Sequence, residues 1–347
     1  MGRSPRLTDL PPPPPGRSGW PWTEESVPLA ETLPDGRAWP RITVVTPTYN
    51  RAGLLEETIR SVLLQGYPDL EYFIIDGGST DGSVELIKRY EAWLAGWVSE
   101  RDRGQSDAIN KGWARATGDI VAWLNSDDYY TSGAVGRAAS ALMAHHEAVL
   151  VYSDLENLRQ ETGERWVDGY GPRDPLSVIT ERPIPQPTVF FRRDVVQALG
   201  GVDETLHYEM DHDLFVRAAA YGPFAYLAGE VLAVFRHHSD AKCHDYPLRF
   251  AQDHETVLAR VERLEGGRPG VREAVRKARG EFYFACAVSA VFRERRLREG
   301  IGWLWRATVV DPRYLLRLPR GIRRVIGGAL RSGPHPASAT GGSDGPR

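Results

Sequence analysis

Trp123-Leu-Asn-Ser-Asp-Asp-Tyr129 is the stretch around which the chain is organised. The apolar run from Ile120 to Leu124 reads as a buried strand, and it stops abruptly at Asn125, Ser126, Asp127 and Asp128. Two adjacent carboxylates at the end of a buried strand repel each other and resist desolvation. They are stable there when a cation or a hydrogen-bonding ligand sits between them. In open α/β sheets the crevice beyond the strand ends is also where ligands are held.

The same design recurs twice on the N-terminal side. Ile42 to Val45 is short, apolar and β-branched, as a buried parallel strand should be. Pro47 is expected to end it, and Asn50 to cap a helix of about Arg51 to Gly66 with Leu55, Ile59, Val62 and Leu63 on one stripe. Tyr72 to Ile75 is a second strand that ends at Asp76, where Gly77, Gly78 and Gly82 permit a tight turn and close backbone approach. Ser79 or Asp81 can cap the helix that follows. Trp97 to Glu100 is a third strand, and Ser106 or Asp107 starts a helix through about Ala116. Alternation of this kind predicts an α/β fold with a parallel sheet. Asp76 has two readings: an acceptor for a nucleobase or ribose, or an ordinary turn-forming residue. Its equivalence with Asn50 and Asp127 at other strand ends favours the ligand. Arg101, Arg103 and Lys111 place cations near the crevice, suited to a diphosphate, against the plainer reading of solvated charges. The central stretch then reads as the place where a metal and a nucleotide diphosphate meet.

On the C-terminal side, Asp154 to Asp168 reads as a polar hairpin and 169–187 as an irregular, proline-rich loop that forms a binding wall. Glu209, Asp211 and Asp213 begin a helix. Asp211 is either a general base at the crevice mouth or, with its neighbours, an acid favoured by the helix dipole. Val231 to Phe235 is a strand that ends at Arg236-His-His238. A histidine there, with two remote aspartates, makes a mixed N/O site for Mn²⁺ or Mg²⁺, although adjacent histidines by themselves mean little.

Bulk composition fits a soluble globular chain: 347 residues, 41% hydrophobic and 26% charged. No apolar run approaches the ~20 residues that span a bilayer. Cys243 and Cys286 are the only cysteines, so a disulfide framework is not expected and a reducing, cytoplasmic location fits. The net charge of −3 hides an asymmetry: residues 245–347 carry +9, which leaves −12 on 1–244. Such a tail meets an anionic surface, such as membrane headgroups at the inner face, or forms a solvated helical bundle. The expected organisation is an unstructured segment 1–38 around the Pro11–Pro15 run, a body 39–245, a basic helical extension 246–331 and a disordered tail 332–347.

Several of these stretches, taken in order, resemble one family. Val44-Val-Thr-Pro-Thr-Tyr-Asn-Arg51, Ile75-Asp-Gly-Gly-Ser-Thr-Asp-Gly82, Ser99 to Gly112 and Leu124-Asn-Ser-Asp-Asp128 are similar to family 2 glycosyltransferases of the GT-A fold, of the bacterial surface-polysaccharide type. Gln186-Pro-Thr-Val-Phe-Phe-Arg192 and Met210-Asp-His-Asp-Leu214 extend the resemblance, which covers about residues 41–245. It implies a Rossmann-like mixed, mostly parallel sheet flanked by helices, with a C-terminal helical extension. It also implies inverting, metal-dependent transfer of a sugar from a nucleotide-diphosphate donor, UDP-sugar being expected, to a glycan or lipid-linked acceptor. Carried over, Pro47, Tyr49 and Asp76 hold the base and ribose, and the expected donor-binding set also includes Asn50, Arg103 and Asp107. Asn125, Ser126 and Asp127 occupy the DXD site, Asn125 replacing its first acid. Asp127, Asp128 and His238 reach the metal. Asp211 matches the base, with Met210 replacing the acid that often precedes it, and Gln186 matches the acceptor-side wall.

Two rivals use the same layout. A nucleotidyltransferase that makes sugar nucleotides would carry a glycine-rich basic loop after the first strand, where this chain has Thr46-Pro-Thr-Tyr-Asn50. A non-catalytic sugar-nucleotide-binding subunit would not be expected to keep Asp127, Asp128 and Asp211 together.

Overall fold

The computed structural model describes residues 4–181, 184–239 and 247–317. These fall into two compact units that divide after Val275. In chain order the first unit opens with β1 (Ile42–Thr48), α1 (Ala52–Leu63), β2 (Leu70–Asp76), α2 (Ser83–Tyr90), β3 (Gly96–Ser99), α3 (Gln105–Trp113) and β4 (Ile120–Trp123). It continues with β5 (Tyr129–Tyr130), α4 (Ala134–Ala144), β6 (Leu150–Arg159), β7 (Arg165–Asp168), α5 (Pro175–Thr180), β8 (Phe190–Arg192) and α6 (Arg193–Leu199). Helix α7 (Met210–Ala218), strand β9 (Phe224–His237) and helix α8 (Ala251–Glu265) follow, then α9 (Val271–Phe292), α10 (Leu297–Val310) and α11 (Tyr314–Arg317).

One sheet runs β3-β2-β1-β4-β8-β6-β9-β5, with β7 paired to β6. Strands β3, β2, β1 and β4 are parallel, β8 is antiparallel to β4 and β6, and β6 runs parallel to β9. All seven residues of β1 are buried. Contrary to expectation the strand runs through Pro47 to Thr48, in register with Ile75 and Asp76 of β2. Pairing with β4 stops at Val45–Trp123, so β1 has a partner on one side only at Pro47, the kind of place that tolerates a residue without an N–H. Helix α3 lies close against β1. A Cβ on Gly112 would come within 2.4 Å of Val45 Cγ1, so glycine is required there. Beneath the tip of β4, Trp123 stacks on Phe191 at an interplanar angle of 6° and meets Trp113 edge-on.

Two local expectations change. Residues 4–38 are not a loose extension. Leu10, Trp22 and Leu33 are buried, and Trp20 Nε1 donates to the Tyr130 carbonyl at 2.7 Å. Arg60 of α1, completely buried, donates to the carbonyls of Pro11, Pro21 and Trp22. A proline-rich segment cannot build its own core, but here it supplies acceptors to a charge in the body, a long-range partnership that composition does not reveal. Within the loop expected to be irregular, Pro175–Thr180 is a helix, with Asp174 accepting from the N–H groups of Leu176 and Ser177 and Pro175 in the first turn.

The body continues past the expected boundary at 245, itself outside the described residues, and takes in α8. In the second unit Ala287 and Leu304 pack with Phe284, Trp303 and Leu315. Trp305, Val309 and Leu316 are exposed there. The remainder of the basic segment, 318–331, and the tail 332–347 lie outside the described residues. Among the described residues no helix is long and apolar enough to cross a membrane.

Candidate active site

The tips of β1 and β4, the start of α3 and the start of α7 converge on a cleft of about 500 Å³. The end of β1 contributes Pro47, Thr48, Tyr49 and Arg51; the start of α3 contributes Asp102 and Gln105. Asn125, Ser126 and Asp127 line it beyond β4, and Asp211, Tyr208, Phe235 and Phe250 complete the lining.

Asp127 meets His238 across the cleft edge: Nε2 is 3.1 Å from Oδ2, and Arg51 Nε is 3.9 Å from the same oxygen. Burial pushes the Asp127 carboxyl up, but the hydrogen bond and charge of His238, with Arg51 and Arg236, outweigh it and hold the group below its ordinary range. Asp128 behaves oppositely. It is fully buried and does not line the cleft, and its Oδ1 accepts from the Arg236 N–H at 3.1 Å. Burial and then the neighbouring Asp127 charge raise its carboxyl well above the ordinary range. The two carboxyls are thus shifted in opposite directions, and Asp128, fully buried and away from the cleft lining, is not placed for its expected role as a metal ligand. Arg236 holds the loop. Its guanidinium pairs with Glu57 at 2.6 Å, donates to the carbonyls of Asp127 and Leu54, and stacks over Tyr129. Thr58 Oγ1 donates to the carbonyls of Ser126 and Asp128.

Asn125 sits in a line of carboxamides. Gln105 Nε2 donates to Asn125 Oδ1 at 2.7 Å, Asn125 Nδ2 to Gln186 Oε1 at 3.2 Å, and Gln186 Nε2 to the Trp123 carbonyl at 2.8 Å. Asp211, at the first turn of α7, accepts from the His212 N–H at 2.8 Å. Burial outweighs that bond and raises its carboxyl, which makes it a better proton acceptor than an exposed aspartate.

Of the other expected residues, His238, Gln186, Asp76, Asn50, Arg103 and Asp107 lie outside the cleft lining. Asp76 is buried, and its carboxylate accepts from Ser79 Oγ, Ser99 Oγ and the N–H groups of Gly78 and Ser79. That is the turn-forming reading. Asn50 is not a cap: at φ 51° it accepts from the Thr80 N–H and stitches the β1 tip to the β2 turn. Arg103, its side chain 74% exposed, pairs with Asp107 and Glu204, and Lys111 also pairs with Asp107. Arg103 leads in holding Asp107 low, to about 2. The residues that sequence reasoning passed over are Arg51, Asp102, Gln105, Tyr208 and Phe250. Asp102 packs against Gly77, where a Cβ would come 2.7 Å from its Oδ2, a proximity that only the fold reveals.

Residues 43–199 match the sequence model described as Glycosyl transferase family 2. An uncharacterized glycosyltransferase of Mycobacterium tuberculosis is 30% identical over 184 residues, 52% of this chain and 69% of the relative. The chain belongs to glycosyltransferase family 2. A PGL/p-HBAD biosynthesis glycosyltransferase of Mycobacterium bovis is 28% identical over 184 residues, 52% of this chain and 70% of that one. Among solved structures, S. aureus TarS 1–349 in complex with UDP-GlcNAc superposes with a TM-score of 0.63 at 16% identity, covering 84% of this chain and 87% of that one. The mannosyltransferase PcManGT from Pyrobaculum calidifontis, in complex with GDP-Man and Mn²⁺, gives 0.55 at 22% identity, covering 84% and 81%. These structures share the fold, the GT-A arrangement expected from the sequence. In this family 2 glycosyltransferase the cleft accordingly lies at the carboxyl ends of β1 and β4.

Proposed function

We propose that this transferase moves a sugar from a nucleotide-diphosphate sugar, a UDP-sugar in the first instance, to a hydroxyl of a glycan or lipid-linked acceptor, with inversion. The observation that carries the reading is that one cleft is lined by both Asp127, backed by His238 and Arg51, and Asp211, whose carboxyl burial raises. Tyr49, 61% exposed at the end of β1, offers a face for a nucleobase. Arg51 places a cation beside the leaving diphosphate. Asp211 takes the proton of the acceptor hydroxyl as it attacks the anomeric carbon, and a single displacement with a single base inverts that centre. Tyr208 and Phe250, whose rings pack 4.7 Å apart, form an aromatic wall beside the base. A divalent ion, Mn²⁺ or Mg²⁺, fits at Asp127, which lines the cleft, and His238, whose Nε2 lies 3.1 Å from the Asp127 Oδ2. Bound there it would neutralise charge developing on the leaving diphosphate.

The setting consistent with this chemistry is surface-polysaccharide synthesis at the inner face of the cell membrane, from the cytoplasm. The exposed Trp305, Val309 and Leu316 and the basic C-terminal sequence support peripheral contact with anionic lipid.

The test is release of nucleoside diphosphate from a panel of nucleotide sugars with Mn²⁺ and a glycan acceptor. Asp211→Asn should bind donor as the parent does and lose transfer by at least about 100-fold. Unchanged turnover would reject Asp211 as the base. Pyrophosphate released from nucleoside triphosphates would replace the transferase reading with sugar-nucleotide synthesis.

A further inference from the structure

Three buried side chains that the transfer reaction does not use meet behind Asp211. Glu209 precedes α7, His212 lies in its first turn and His254 comes from α8. His212 Nδ1 is 3.1 Å from Glu209 Oε2, and His254 Nδ1 is 2.9 Å from both Glu209 oxygens. One ligating atom from each residue lies within 4.8 Å of the other two.

The far side of His212 sharpens the reading. Its Nε2 is 3.1 Å from the Val178 carbonyl, which can only accept, so Nε2 carries the proton. In a neutral ring Nδ1 then turns its lone pair toward a carboxylate oxygen. Two lone pairs at that separation repel, so either a second proton or a metal ion lies between the groups. A histidine that gives its second N–H to a backbone carbonyl is the usual support for a metal-binding nitrogen. The Glu-x-x-His spacing at the start of α7 puts two donors on one side of the helix, and α8 closes the set.

The geometry points to a structural zinc site formed by Glu209, His212 and His254, distinct from the cation position at Asp127 and His238. Two imidazoles and a carboxylate suit Zn²⁺ better than Mg²⁺. The site clamps α8 to the segment that carries Asp211. Asp253, next to His254, already grips the same segment, accepting from the N–H groups of His207 and Tyr208 at 2.7 Å each. The inference rests on this packing and not on the identity of donor or acceptor.

The experiment uses the full-length protein without a histidine tag. Elemental analysis should find stoichiometric zinc. Removal by a chelator should lower the Tm, and added Zn²⁺ should restore it. His212→Asn and His254→Asn should each cut zinc content at least about tenfold and abolish the Tm response. Asp127→Ala should keep both. Zinc-free protein whose Tm ignores both chelator and Zn²⁺ overturns the site and leaves an imidazolium–carboxylate pair in its place. Should the histidine variants fail to fold, zinc content and chelator response of the parent protein decide alone.

Discussion

Asp127 and Asp128 share a peptide bond, yet their surroundings shift the two carboxyls in opposite directions. One faces the cleft with His238 and Arg51 beside it; the other is fully buried under the Arg236 loop. An amide has the shape of a neutral carboxyl but cannot replace an ionised one. Asp128→Asn should therefore keep the Tm and most donor affinity, whereas Asp127→Asn should lose metal-dependent donor binding by about 100-fold or more. Isothermal titration of both variants with donor and Mn²⁺ checks this, and equal losses would refute the division. The sequence showed that two acids end the strand. It could not show which one faces the cleft, because the turn closed by the Asp128 N–H on the Asn125 carbonyl sends neighbouring side chains to different surroundings. The same limit applies to Asp76, whose hydroxyl and N–H partners come from Ser79, Gly78 and Ser99. Three of those four contacts are local enough to have been foreseen as a turn. Asp211 was legible as an acid at a helix start, and the structure places it in the cleft lining.

Helix α8 ties the body together from outside the matched family region, which ends at residue 199. Its Arg260 bonds Asp203 and the almost completely buried Asp213, which Arg217 also holds. Burial pushes the Asp203 carboxyl up, but the Arg260 and Thr205 hydrogen bonds outweigh it and bring it down to about 2, from an ordinary value of 3.8. A group depressed on folding stabilises the fold above its unfolded pKa. That contribution should be complete above about pH 4 and fade as pH falls toward 2. Arg260→Ala should lower the Tm at pH 7 and flatten its decline across that window; an unchanged acid limb in thermal scans would contradict the assignment. Periodicity made α8 visible as a helix. Its membership of the body was not visible, since Arg260 reaches partners 47 and 57 residues away. The alternation of strands and helices through Trp123 was legible for the opposite reason: each element there is decided by neighbouring residues.

Across the molecule, an acidic body and a basic C-terminal region could be read directly from residue counts, but the place of the first 38 residues could not. Composition marks them as unable to fold alone, which is true and insufficient. Arg60 gives its guanidinium to three of their carbonyls and to Tyr90, and the ring of Trp22 lies 5.6 Å from its charge. Arg60→Met should strand those acceptors and cost about 3 kcal/mol or more, read as a lower urea midpoint and faster proteolysis before residue 39. A variant as stable and as protease-resistant as the parent would show that the segment is held by other means. Arg60 and Thr58 are carried by the same helix, and Thr58 anchors the carbonyls of Ser126 and Asp128. Trimming the chain to begin at residue 39 would thus not isolate a tidy minimal enzyme. It would unseat the helix that fastens the donor loop, and the damage would surface first as weakened grip on the nucleotide sugar, far from the cut.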